Sequence, residues 1–222
     1  YYNIYRYYNM PWVKKGNDID GEAAYDNSGY SVSLSNNGTI VAIGAKLNDG
    51  SGNNAGHVRV YDLDGSTWFQ RGGDIYGEAS DDQSGISVSL SNYGNTVAIG
   101  APYNDGSGNS SAGHVRVYEW GGTAWDQRGD DIDGEALGDY SGYSVSLSNY
   151  GNTVAIGAKL NDGSGNDAAG HVRVYQWGGT EWVQRGGDID GEASGDHSGI
   201  SVSLSNNGNT VAIGTPYADG SG

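Results

Sequence analysis

The segment SVSLS occurs four times, beginning at Ser31, Ser87, Ser144 and Ser201, and a tryptophan recurs in register at Trp12, Trp68, Trp125 and Trp182. The steps are 56, 57 and 57 residues. Self-similarity at such a period is the mark of stacked supersecondary units, none of which can bury its apolar face alone. Nothing in the repeated unit looks like a catalytic constellation, so the period constrains architecture more tightly than chemistry.

The unit reads as strands. β-Branched and aromatic residues, with 17 Tyr and 6 Trp against a single Phe and a single Met, are punctuated by Asn and by 40 Gly, and no stretch holds helical periodicity for three turns. In the unit from Trp68, Val88 and Leu90 alternate with Ser87, Ser89 and Ser91, and Val97 and Ile99 alternate with Ala98 and Gly100. Each run thus has a bulky face and a slender one, and a sheet built this way nests against an identical sheet with little void. A third run alternates Val115 and Val117 with His114, Arg116 and Tyr118, which places it further out and half exposed, and a fourth carries Trp125 and Gln127 at the rim. Gly121-Gly122, Gly178-Gly179 and Asp64-Gly65 sit where a tight hairpin needs positive φ, and SNYGNT supplies an Asn/Gly turn between the first two runs.

A four-stranded antiparallel meander repeated in tandem predicts an all-β fold of β-propeller blades, about 57 residues each, with residues 1–222 forming one repeat region whose units start near the four tryptophans. At the amino end, Tyr2, Ile4 and Arg6, within residues 1–8, read as a divergent third-run strand. Two arrangements follow: that strand completes the last blade and closes a four-bladed ring, or the blades belong to a longer propeller or array. Units one and three share GYSVSLS and AKLNDG, whereas units two and four share GISVSLS and a Pro-Tyr pair, so the true period is two units.

A formal charge of −16, from 27 acidic and 11 basic residues, repels phosphate backbones and anionic membranes, which excludes nucleic acid as a natural partner. Such a load is tolerated where salt or bound cations screen it, as in a calcium-bearing exterior. Cysteine is absent, which removes disulfides, thiolate metal sites and cysteine nucleophiles. No apolar run reaches the length of a membrane span, so membrane insertion within these residues is not expected. Asn37 and Asn109 open Asn-x-Ser/Thr sequons that permit glycosylation.

The block SGISVSLSNYGNTVAIGAPYNDGSGNSSAGHVRVYEW resembles an FG-GAP repeat, the blade unit of integrin-α-type β-propellers, with Ser84-Gly85-x-Ser87-Val88 in place of Phe-Gly-x-Ser-Val and GAP at Gly100 to Pro102. The resemblance implies a secreted or surface-displayed propeller used for adhesion or ligand binding, often with calcium. The family's Asp-rich calcium loop falls between the first two runs, where this chain reads SNNGTI, SNYGNT or SNNGNT without a carboxylate, so the usual site is absent.

Oxygen ligands cluster one loop later, as Asp49, Ser51 and Asn53, as Asp105, Ser107 and Asn109, and as Asp162, Ser164 and Asn166. Their alternate spacing fits a hard cation such as Ca2+, or else an Asx turn bonding its own backbone. A second acidic set, exemplified by Asp74, Glu78 and Asp82, recurs in every unit. Paired carboxylates can hydrolyse glycosides, but an active site is needed once and this set occurs four times, so Asp26, Asp82, Asp139 and Asp196 are expected to fix backbone turns. His57, His114 and His171, one per unit, read as hydrogen-bonded strand residues, with Arg59, Arg116, Arg173, Arg71, Arg128 and Arg185 pairing the carboxylates. Tyr103 and Tyr217 are candidate ligand platforms, whereas Trp120 with Trp125 and Trp177 with Trp182 read as cross-strand clasps.

The expectation is a non-catalytic extracellular or cell-surface protein for adhesion or structural assembly, whose partners are itself, other extracellular proteins or glycans. The alternative is a closed propeller that binds a glycan or protein through loops on one face, with calcium support. Near-identical units favour the first, since binding propellers diversify the loops of individual blades.

Overall fold

The computed structural model describes residues 4–6 and 12–219. Tyr2 and the last three residues lie outside these, as do the side chains of Ser107 and Ser164. A short hairpin of β1 (Tyr5–Arg6) and β2 (Val13–Lys14) comes first. The first blade holds β3 (Ser28–Leu34), β4 (Ile40–Ala45), β5 (His57–Asp64), β6 (Thr67–Gln70) and β7 (Ile75–Tyr76). The second holds β8 (Ser87–Leu90), β9 (Thr96–Ala101), β10 (His114–Trp120), β11 (Trp125–Gln127) and β12 (Ile132–Asp133). The third holds β13 (Ser141–Leu147), β14 (Thr153–Ala158), β15 (His171–Trp177), β16 (Trp182–Gln184) and β17 (Ile189–Asp190), and the fourth only β18 (Ser201–Leu204) and β19 (Val211–Gly214).

Within each full blade the strands pair antiparallel in chain order, so the tryptophan strand closes the sheet that precedes it. The structural blade therefore begins at the SVSLS strand. One feature escapes a four-strand description. The outer edge is interrupted after Gln70 and resumes as β7, which returns to the start of β5 and pairs Tyr76 with His57. β12 and β17 do the same for β10 and β15.

The blades nest as the alternation requires. Ile40, Ala42, Val58, Val60 and Ile75 of the first blade bury themselves against Leu90, Val97, Ile99 and Tyr118 of the second. The same seam recurs between the second and third. Serines of one blade caulk the joint by accepting backbone bonds from the next: the Leu90 N–H donates to Ser33 Oγ at 2.8 Å, Leu147 to Ser89 at 2.9 Å and Leu204 to Ser146 at 2.9 Å. The approach is close enough to demand glycine, since a Cβ on Gly100 would lie 2.0 Å from the Gly142 carbonyl oxygen.

Two expectations need correction. The third-run strand is not half exposed: Val115 and Val117 face the next blade and His114 and Arg116 the previous one, with none more than 5% exposed. Its polar residues are buried because the outer strand covers its edge and neighbouring blades cover both faces. Nor does the amino-terminal strand complete the last blade. β1 pairs with β2, and β18 with β19, as separate two-stranded sheets, so among the described residues no ring is closed.

Candidate functional site at the blade junctions

Because β7, β12 and β17 fold back onto the third-run strand, each carries an aspartate to the histidine there. Asp74 Oδ2 lies 3.7 Å from His57 Nδ1, and Asp131 Oδ2 lies 3.6 Å from His114 Nδ1. The second carboxylate comes from the segment that leads in from the preceding blade edge. Glu22, Glu78 and Glu135 place an oxygen 3.6, 3.9 and 3.9 Å from His57, His114 and His171. Three groups result, Glu22–His57–Asp74, Glu78–His114–Asp131 and Glu135–His171–Asp188, each with its three donor atoms within 4.8 Å of one another. These are the residues among those described that could together hold a metal ion.

The partners around them are fixed. Gln70, Gln127 and Gln184 donate to Asp74, Asp131 and Asp188 at 2.6, 2.7 and 2.7 Å. Arg59, Arg116 and Arg173 pair the glutamates at 3.6, 3.4 and 3.4 Å, as the charge pattern predicts. One nitrogen of two of these strand histidines, His57 Nδ1 and His114 Nε2, is buried without a partner. Burial lowers the pKa of all three, that of His114 to about 4, and the flanking arginines add to this. The imidazoles are therefore neutral at neutral pH. Burial also holds the Glu78 carboxyl above its usual range, against the pull of Arg116.

The other candidate residues fall elsewhere. Asp49 Oδ1 accepts from the Asn54 N–H at 2.7 Å, and Asp105 and Asp162 accept from Ser111 and Ala168 at 2.9 Å, so these loop carboxylates cap their own backbone. Ser51 donates to the Gly77 carbonyl at 2.6 Å. Asn53 is exposed, and Asn109 and Asn166 end short 3₁₀ turns. Asp82 accepts from the Ala79 N–H at 2.8 Å and from Asn104 at 3.0 Å, and Asp139 repeats both bonds with Ala136 and Asn161. Asp26 holds Asn48, and Asp196 holds the Ala193 N–H. All four carboxylates are buried, and Asp82, Asp139 and Asp196 anchor backbone turns.

Arg71 and Arg128 pair with Asp62 at 3.4 Å and Glu119 at 3.7 Å, and all three of Arg71, Arg128 and Arg185 also donate to the carbonyls of Gly94, Gly151 and Gly208 in the next blade. Arg71 and Arg128 also lie over the tryptophan clasps, in which Trp120 faces Trp125 and Trp177 faces Trp182 with ring centroids 5.3 and 5.4 Å apart. Tyr103 meets Tyr140 edge-on and Tyr217 meets His197. Asn37 is exposed in a turn.

The family of FG-GAP repeats matches residues 19–61, from the junction isoleucine to the end of the buried HVRVY strand. The internal period carries the same pattern into the later units, and the two glycines of the FG-GAP name meet in space. Gly44, at the GAP position of one blade, abuts Gly85, at the FG position of the next. No curated protein matches the chain. Among solved structures, hydrazine synthase of Kuenenia stuttgartiensis is similar with a TM-score of 0.53 at 14% identity, over 88% of this chain and 44% of that one. A candidate 6-phosphogluconolactonase from Bacteroides uniformis is similar with a TM-score of 0.55 at 11% identity, over 82% and 46%. At such identity the likeness is one of fold, and this chain spans less than half the length of either.

Proposed function

We propose that this chain is a non-catalytic building block, displayed at a cell surface or in an extracellular matrix, that assembles with copies of itself through its blade faces. One observation supports the reading: among the described residues the faces of β3 and of β18 and β19 are exposed and complementary. At one end Val32 and Leu34, on the bulky face of β3, are 60% and 47% exposed. At the other, Ser201, Ser203 and Ala212 present the slender face of β18 and β19 to solvent. Inside the chain these two kinds of face meet three times through the leucine-to-serine bond, and Leu34 and Ser203 stand at the equivalent positions of the ends. A second copy placing its Ser203 against Leu34 repeats that seam, and a head-to-tail contact of this kind propagates. Salt supports it by screening the acidic surface. Among the described residues no helix is long and apolar enough to cross a membrane.

Sedimentation over a concentration series tests this. Polymers are expected at physiological ionic strength, and Leu34→Asp is expected to yield monomers that melt as the native chain does. A native chain that stays monomeric throughout the series overturns the proposal. A second reading is supported by an open cleft of about 850 Å³, walled by Tyr103 with Glu78, Asp105 and Asp131 among its acidic lining, whose chemistry suits a cationic ligand or a sugar ring stacked on the tyrosine. A monomer that binds such ligands would turn the conclusion to that face.

A further inference from the structure

We infer that the three Glu–His–Asp groups bind divalent transition metal ions, one per blade junction, and that each ion staples a blade to the segment leading in from its predecessor. The inference is independent of self-assembly.

The reason is seen at the first group, whose residues the other two repeat, although at the second the unpartnered nitrogen is His114 Nε2 and not the Nδ1 that lies nearest the carboxylates. His57 is 1% exposed, yet its Nδ1 has no hydrogen-bond partner. It points between two carboxylate oxygens at 3.6 and 3.7 Å, too far for either to accept a good bond. A buried nitrogen left without a partner is unfavourable, and such groups in native proteins call for an explanation such as an unseen ligand or a functional role. A single ion between the three atoms, with bonds of about 2.0–2.2 Å, gives the imidazole its partner and draws in both carboxylates.

The donor set chooses the ion. Calcium takes six to eight oxygens and has little use for an imidazole, whereas one nitrogen and two carboxylates suit zinc and its neighbours in the first transition row. Two carboxylates balance a divalent charge in a protein that carries −16.

Outer-sphere support is already in place. Asp74 is held on one oxygen by Gln70 and on the other by the Tyr76 hydroxyl at 3.0 Å, and Glu22 by Arg59, which is how proteins orient metal ligands before the ion arrives. The glutamate is partly exposed, with 43% of the Glu22 side chain in solvent, so an ion can enter and water can complete its coordination. At the second junction Glu78 follows the outer edge of the first blade, while His114 and Asp131 belong to the second. Binding there ties two blades together at their rim, where the apolar seam has ended.

The test is a titration of chelator-treated protein with ZnCl2 by calorimetry, with thermal melts in Zn2+ and in Ca2+. About three equivalents of Zn2+ are expected, together with a rise in melting temperature that Ca2+ at the same concentration does not produce. The triple variant Asp74→Asn, Asp131→Asn, Asp188→Asn keeps size and leaves the buried histidines in place. It is expected to retain its circular dichroism spectrum and metal-free melt while binding Zn2+ at least about tenfold more weakly. Should the triple variant not fold, Asp131→Asn alone is expected to lose one of the three equivalents. Absence of saturable Zn2+ binding at micromolar concentration, unchanged binding in the variants, or equal stabilisation by Ca2+ each overturns the inference. The same titration on monomeric Leu34→Asp separates metal binding from assembly.

Discussion

Burial, more than any neighbouring charge, sets the character of the junction histidines. Enclosure is the largest influence on His114 and lowers its pKa to about 4, with Arg116 acting in the same direction and nearby aspartates opposing. In the unfolded chain the same imidazole titrates near 6.5. As pH falls through that value the unfolded state gains a proton that the folded state refuses, so stability declines between about pH 6.5 and 4, and below that this group exerts no further pull. In metal-free buffer the melting temperature is expected to drop across that window. In nuclear magnetic resonance spectra the His114 ring is expected to keep its neutral shifts until pH approaches 4. A folded-state midpoint near 6.5 would show that water reaches the ring. Asp82, Asp139 and Asp196 were legible in the sequence, because they bond to backbone only three residues away. The histidine sites were not, since Glu78 precedes His114 by 36 residues and joins it only through packing of one blade edge on the next. The available signal was that the DID-GEA segment and the histidine each recur once per unit, which allows them to meet at every junction.

At the scale of the strand, alternation was a sound guide wherever side chains were small or apolar. It placed Ser89 and Ala98 opposite the bulky face of the next blade, where the structure has them. It failed for β10, because His114, Arg116 and Tyr118 look like a solvent face until their partners are known. The Arg116 guanidinium donates to the Tyr76 carbonyl at 2.6 Å and pairs with Glu78, so a buried polar strand is satisfied from the neighbouring blade. β7, β12 and β17 are two residues long, too short for any period to announce them. The serine ladder yields a sharper contrast. Ser89→Ala removes the acceptor of the Leu147 N–H inside a closed seam, and a loss of about 1–3 kcal/mol is expected from urea unfolding. Ser203→Ala alters the equivalent position on an open face and is expected to change the stability of dilute protein by less than about 0.5 kcal/mol. Equal effects would mean that the inter-blade bond contributes nothing beyond the hydroxyl itself.

For the whole molecule, repetition implies nearest-neighbour energetics, in which each blade draws stability from the blade before and the blade after. Blade number and faces were legible because every unit repeats them, whereas closure was not, because it depends on a single pairing outside the repeat. An open stack has unequal members. The second blade is covered on both faces, with Val97 and Val115 fully buried, while among the described residues β18 and β19 are covered on one face. Local opening draws on the least covered element first. Hydrogen exchange in dilute solution is therefore expected to rank amides of β9 and β10 as the slowest and those of β18 and β19 as markedly faster, and raising protein concentration should slow β18 and β19 selectively as a second copy covers their slender face. Uniform protection across all four units at low concentration would mean that the ends are already joined in the monomer. That result would replace the open stack by a ring and remove the surface on which assembly depends.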